Sequence, residues 1–309
     1  MKTVKILRAQ HLGMCFGVRD AISLAFEHGA ARPLTILGDL VHNATVSAAL
    51  QTAGIAIARE VANVKTHAVM VTAHGASARR IEATRSLGLD VLEATCPLVT
   101  VAHRAVAALV RDGYHPVIIG QRGHVEVRGL TEDLAAFDIV NSEDDVRRLE
   151  AHARIGVAAQ TTQAIERVQH FVELIRARFP QSEVRFIDTV CQPTKQRQQA
   201  AHDLARECEV VVVVGGADSN NTRELVKTCG RFCDRVYHVQ TDEDLHFEWF
   251  VEAESVGITA GTSTPDHVID RVEQRIREFA LEPAGRALAG TATAGTATAG
   301  TATGGRAPL

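Results

Sequence analysis

The sequence predicts an α/β protein of three pseudo-symmetric lobes, each with a small, mostly parallel sheet, gathered about a central site. Three observations carry this reading. Short aliphatic and β-branched runs alternate with stretches of helical period, the pattern of parallel sheets covered by helices. Three cysteines, Cys15 in GMCFGV, Cys96 in ATCPLV and Cys191 in TVCQPT, each follow a strand-like run and precede a helical one, 81 and 95 residues apart. Each is then followed by a polar cluster and by a further strand that ends in a polar turn, so a unit of about 90 residues recurs three times.

In chain order, VKILRA (4–9) reads as the first strand and 18–29 as the first helix, with Cys15 in the turn between them. LTILG (34–38) and AVMVTA (68–73) are the next strands, and the run LDVL leads into EATCPLVT (93–100). There Pro97 is suited to the first helical position, whose N–H has no helical partner. Cys96 therefore stands at the mouth of a helix over 98–112, where backbone N–H groups and the dipole favour a thiolate. Strands HPVIIG (115–120) and RIGVAA (154–159), helices 163–178 and 193–207, strands EVVVVVG (209–215) and SVGITA (255–260), and a helix over 266–279 complete the pattern. Each helix shows the spaced apolar stripe of a helix packed on a sheet. The lobes are read as 1–95, 96–190 and 191–283. AGTAT occurs three times in succession at 289–303, with no apolar period, so 284–309 reads as a disordered Ala/Gly/Thr tail.

Composition narrows the function. The 309 residues carry a formal net charge of −4, with basic residues scattered and aromatics at only 4%, so no nucleic-acid groove or base-stacking platform is signalled. The longest aliphatic run, VVVVV at 210–214, is far too short to span a bilayer, and the N-terminus lacks the apolar core of a signal peptide. A cytoplasmic protein is expected, with no membrane partner. Disulfides are rare in that compartment, so six cysteines point first to metal or redox chemistry.

The polar residues follow the same threefold order. His42 lies 27 residues after Cys15, His124 28 after Cys96, and Ser219, Asn220 and Asn221 28–30 after Cys191. The later strands end at His74, Thr161 and Ser263. All fall at carboxyl ends of strands, where open parallel sheets bind ligands. Three thiolates hold a structural zinc only with a fourth ligand, and the close cysteine pair usual for zinc is missing around them. Cys229 and Cys233 are four apart without a second pair, and with Cys208 they read as core or helix-end thiols. An iron–sulfur cluster fits better: cubane clusters take four ligands, and three cysteines leave one iron open to a substrate oxygen. The lobes would then surround a central iron–sulfur site. No phosphate loop or dinucleotide fingerprint opens a helix. Instead His42, His74 and His124, with Ser, Thr and Asn side chains at helix N-termini, can donate hydrogen bonds to an anion such as phosphate. Glu126, two residues after His124, would be pushed toward its protonated form beside an anion and could act as a general acid.

With these motifs in view, the sequence resembles the 4-hydroxy-3-methylbut-2-enyl diphosphate reductase family of the non-mevalonate isoprenoid pathway. The resemblance runs from about residue 5 to 280 and rests on LGMCFGVRDAI, LVHN, AHGAS, EATCPLVT, GHVEV, AQTT, DTVCQPT, GGADSNNTREL and AGTSTPD, in that order. It implies one [4Fe–4S] cluster per chain on Cys15, Cys96 and Cys191. It also implies a diphosphate held by His42, His74, Ser219, Asn220, Asn221 and Ser263, with His124 in the same pocket. Glu126 matches the proton-delivering residue and Thr161 the hydroxyl beside the substrate alcohol. The implied reaction removes the 4-hydroxyl with two electrons and two protons, giving isopentenyl and dimethylallyl diphosphates, with ferredoxin or flavodoxin as electron donor. The chain departs from the family at Asn220 and Asp218 in the DSNNT loop, at Val125 where proline is usual, and at Glu93 where aspartate is usual. Asp218 adds negative charge that would repel a diphosphate if it points inward. Two other readings share the motifs: a paralogue acting on another allylic or anionic compound, and a non-catalytic iron–sulfur or zinc sensor of oxygen or redox state.

Overall fold

The computed structural model describes residues 4–281; residues 1–3 and the expected tail over 284–309 lie outside the described residues. The chain opens with β1 (Lys5–Arg8) and α1 (Phe16–Ala31). A first block follows: β2 (Leu34–Leu37), α2 (Ala44–Thr52), β3 (Ala56–Ala58), β4 (Ala68–Val71), α3 (Ala78–Arg85) and β5 (Asp90–Glu93). After α4 (Pro97–Arg111) comes the second: β6 (His115–Ile119), α5 (Val125–Thr131), β7 (Asp138–Val140), α6 (Glu143–Arg148), β8 (Arg154–Ala159), α7 (Ile165–Arg178) and β9 (Glu183–Phe186). The last holds α8 (Gln192–Glu207), β10 (Val210–Val214), α9 (Asn220–Cys229), β11 (Val236–Val239), β12 (Ser255–Ala260) and α10 (Asp266–Leu281).

The strands form three four-stranded sheets of one topology, β3-β2-β4-β5, β7-β6-β8-β9 and β11-β10-β12-β1, and every pairing is parallel. The order exposes a shift of phase. β1 pairs with β12, Lys5 opposite Ser255, and takes the edge position that β5 and β9 hold in the other sheets. Residues 1–95 therefore lend their first strand to the third sheet, so each cysteine closes a structural unit and does not open one. The physical cause is pairing: β1 alone would be an unpaired edge, and the third sheet lacks its fourth strand.

Central strands are buried on both faces, as parallel sheets between helices require; all five valines of β10 are buried. In α4, Val99, Ala102, Val106 and Leu109 form the buried stripe, and Pro97 occupies the first turn. Hydrophobic clusters cover the sheets, with one around Ile36 and Met70, one around Val157 and Ile175, and one around Val212 and Ile258. Several elements carry weaker sequence signals than those read above: β3, β7 and β11 are edge strands of three or four residues, and α9 begins in the polar DSNNT loop. Among the described residues no helix is long and apolar enough to cross a membrane.

Candidate active site

Each cysteine is the residue just before a helix: Cys15 before α1, Cys96 before α4, Cys191 before α8. None uses its side chain to cap that helix. The backbone repeats the threefold pattern. Cys15 N–H donates to Thr262 O (3.2 Å), Cys96 N–H to Ala73 O (3.0 Å) and Cys191 N–H to Thr161 O (3.0 Å). The polar turn at the end of β12, β4 or β8 thus fixes the cysteine that follows the neighbouring edge strand. All three cysteines line one cavity, together with His42, His74, His124, Glu126, Thr161, Ser219, Asn220, Asn221 and Ser263. Gly17 lets the sulfurs converge, because a Cβ there would stand 2.4 Å from Cys96 Sγ.

The N–H groups at the mouth of α4 do favour the Cys96 thiolate, as expected, but they do not decide its charge by themselves. Burial raises the Cys96 thiol pKa and outweighs the lowering by the Leu98 and Val99 N–H groups. Burial likewise pushes Cys191 up to about 11, against the hydrogen bond from Thr194, whose Oγ1 is 3.1 Å from the sulfur. Thiolates here call for a bound metal, which deprotonates its cysteine ligands. Cys208, Cys229 and Cys233 are buried in the apolar core beneath α8 and α9, as expected of packing thiols.

The three histidines meet at one wall. His42 and His74 are stacked with centroids 4.4 Å apart, and His124 stands edge-on to both at 5.1 and 5.5 Å. Burial holds all three below the usual imidazole pKa, His124 at about 3 and His74 further depressed by its two neighbours, so all are neutral at pH 7. His124 caps α5: its Nδ1 accepts from Glu126 N–H at 3.1 Å, which leaves the proton on Nε2. His42 Nε2, His74 Nε2 and Asn221 Nδ2 are buried without a hydrogen-bond partner. Asn221 is oriented by Thr262 N–H, which donates to its Oδ1 at 3.0 Å, so the amide donor faces the cavity. Buried orphan polar groups mark a place for a ligand. The three imidazole nitrogens lie close enough to hold a divalent metal, but an amide N–H has no use for a cation. The donor set as a whole suits an anion.

Glu126 is 1% exposed, and its Oε1 accepts the Thr161 N–H. Burial pushes its pKa up to about 7 in spite of hydrogen bonds from Thr161 backbone and side chain. The carboxyl therefore keeps a substantial protonated fraction at neutral pH and shares a hydrogen bond with the Thr161 hydroxyl, the arrangement of a poised general acid.

Two expected binding residues are partly spent on structure. Asn220 Nδ2 donates to Thr162 O at 2.9 Å, tying the third lobe to the second. Ser263 Oγ donates to His42 O at 3.1 Å, tying it to the first. Ser219 caps α9 by accepting Thr222 N–H, which leaves its hydroxyl proton for a ligand. Asp218 lies in an outer groove with Arg223 and Arg122, outside the inner cavity lining, although its charge still acts on His42. Sequence reasoning missed Thr194 and Gly17. Thr194 carries a usable signal, three residues after a cysteine on a helix; Gly17 carries none, because its value lies in a contact with a residue 79 positions away.

The sequence model of the LytB protein family matches residues 6–277. The chain is 36% identical over 281 residues to a 4-hydroxy-3-methylbut-2-enyl diphosphate reductase from Aquifex aeolicus, covering 89% of this chain and 96% of that one. It is 35% identical over 280 residues to the reductase of the same name from Geobacter sulfurreducens, covering 89% and 98%. Among solved structures it superposes on the Plasmodium falciparum E-1-hydroxy-2-methyl-but-2-enyl-4-diphosphate reductase with TM-score 0.83 at 25% identity, covering 88% of this chain and 87% of that chain. It also matches a structure of (E)-4-hydroxy-3-methyl-but-2-enyl diphosphate reductase, described as the terminal enzyme of the non-mevalonate pathway, with TM-score 0.62 at 36% identity, covering 89% and 100%.

Proposed function

The chain belongs to the LytB family of 4-hydroxy-3-methylbut-2-enyl diphosphate reductases, and from that premise we propose how its cavity carries out the reaction. The substrate loses its 4-hydroxyl as water, taking up two electrons and two protons, and leaves as isopentenyl or dimethylallyl diphosphate. Cys15, Cys96 and Cys191 hold a [4Fe–4S] cluster. Their fit rests on three sulfurs in one cavity, uncommitted to capping. When bound, the cluster supplies electrons and a Lewis-acidic iron not taken by cysteine. Ferredoxin or flavodoxin would be the electron donor to such a cluster, and a cytoplasmic setting suits six free cysteines.

The protein's own residues bind and protonate. The orphan groups His42 Nε2, His74 Nε2 and Asn221 Nδ2, with His124 Nε2–H and the hydroxyl of Ser219, hold the diphosphate, and Ser263 joins them only by releasing His42 O. Neutral His42 and His74 can gain a proton as the anion arrives, which strengthens their hold without leaving a cluster of charges in the empty site, while His124 stays neutral with Nδ1 on the Glu126 N–H. Glu126, anchored through Oε1 to Thr161 N–H, carries its proton on Oε2 and passes it through the Thr161 hydroxyl to the departing oxygen. The hydroxyl leaves as water, and one further proton reaches either end of the allyl unit to give the two products.

The observation that carries this reading is the fully buried Glu126, its pKa raised by burial to about 7, in the same cavity as three cysteines and three neutral histidines. Anaerobically reconstituted Glu126→Gln should retain iron and sulfide but lose turnover of the diphosphate by about 10²–10⁴-fold, the usual worth of a general acid. Parent-like turnover in that variant, with full iron, removes Glu126 as the acid, whereas a parent with full iron and no turnover points instead to the sensor reading.

A further inference from the structure

Arg197, in the second turn of α8, is a buried cation without an acidic partner. It is 7% exposed. Its Nε and Nη2 donate to Gly13 O at 3.0 and 2.8 Å, and its Nη1 donates to Pro193 O at 3.0 Å. Gly13 stands two residues before Cys15, and Pro193 two residues after Cys191. The planar fork thus clamps two of the three cysteine loops, a span that a lysine's point charge cannot bridge in the same way. Among the described residues no carboxylate forms an ion pair with it. Burial works against its charge, the Cys15 and Cys191 sulfurs are the groups that favour it, and Arg19 opposes it. Buried charges in proteins are paired, and carbonyl oxygens alone leave a full charge unneutralised.

Resting on the iron–sulfur reading above, we propose that Arg197 is the built-in counter-ion of the cluster. It positions the Cys15 and Cys191 loops and holds one fixed positive charge beside their sulfurs. Each electron added to the cluster makes it more negative, so a fixed cation stabilises the reduced form more than the oxidised and raises the reduction potential. The missing carboxylate is then explained: an acid at this place would cancel the charge that the cluster uses.

The test is a redox titration, followed by electron paramagnetic resonance, of anaerobically reconstituted parent, Arg197→Gln and Arg197→Lys. At a fixed poise the reduced-to-oxidised ratio of the cluster should fall about tenfold in Arg197→Gln, equal to 59 mV for a one-electron couple. Arg197→Lys, which keeps the charge, should stay within about threefold of the parent. An unchanged midpoint in Arg197→Gln, or an equal shift in both variants, overturns the proposal. Should Arg197→Gln lose its iron, thermal unfolding of the metal-free proteins takes over as the readout. The metal-free variant should then be at least as stable as the metal-free parent, since an uncompensated charge has been removed. A less stable one would show Arg197 to be a structural prop and overturn the proposal. A parent that assembles no cluster overturns the cofactor reading beneath it, whereas a parent cluster indifferent to Arg197 overturns only this inference.

Discussion

At Glu126 one carboxyl serves two ends, because the burial that makes it an acid also costs stability when it ionises. Its pKa rises from 4.5 to about 7 in the folded chain. A raised pKa means that the folded state keeps the proton longer than the unfolded one. The stability this gives is complete below pH 4.5 and is lost as pH climbs through 7. Metal-free Glu126→Gln should therefore match the parent below pH 4.5 and exceed it above pH 7, by an amount on the order of 3 kcal/mol at about 1.4 kcal/mol per pKa unit. Urea unfolding at pH 5, 6 and 8 measures the gap, and a gap that does not widen with pH contradicts the burial of an ionisable carboxyl. The histidines act with the opposite sign. His124 falls from 6.5 to about 3, so the unfolded chain binds its proton first and parent stability should decline as pH drops below 6.5. Bound diphosphate should blunt that decline, since it favours the protonated imidazoles of His42 and His74; equal slopes with and without the ligand would count against the anion site.

Among the elements, the helix mouths do the positioning. Cys15, Cys96 and Cys191 share one local design: a strand, a carbonyl from the adjacent turn on the cysteine N–H, and a helix start that the sulfur does not cap. Gly17, in the first turn of α1, is part of that design because Cys96 Sγ occupies the space of its missing Cβ. Gly17→Ala should fold, since alanine favours a helix more than glycine does, yet it should reconstitute with markedly less than the parent's iron. Iron analysis beside far-ultraviolet circular dichroism separates the two effects, and full iron loading in the variant would remove Gly17 from the site. Thr194 plays a lesser part, with its hydroxyl on the Cys191 sulfur from one turn along α8.

At the scale of the whole molecule, the site exists only where three lobes touch. Gly216, in the loop after β10, sits so close to the first lobe that a Cβ would stand 2.4 Å from His42 O. The loop that carries Ser219 and Asn221 therefore reaches His42 only because residue 216 is glycine. Gly216→Ala should push the third lobe off the first and raise KM for the diphosphate by about tenfold or more, while the iron content stays at the parent level. Steady-state kinetics with iron analysis tests this, and an unchanged KM would show that the lobes adjust without cost. The Asn220 amide on Thr162 O and the Ser263 hydroxyl on His42 O are the matching ties, which is why neither is wholly free for the ligand.

From local sequence came the strands and helices with strong apolar periods, the three cysteines at helix mouths, and the threefold order that brings His42, His74, His124, Glu126, Thr161, Ser219, Asn221 and Ser263 to strand ends. Such features depend on residues within a turn or two of one another, and one chain records them directly. Tertiary structure alone decided the rest: that β1 completes the third sheet, that Asn220 and Ser263 tie lobes together, that burial raises the Cys96 and Cys191 thiols, and that among the described residues no carboxylate pairs with Arg197. Each of these turns on burial and on contacts between distant segments. Desolvation and close approach are properties of the assembled lobes, and no neighbour in the sequence reports them.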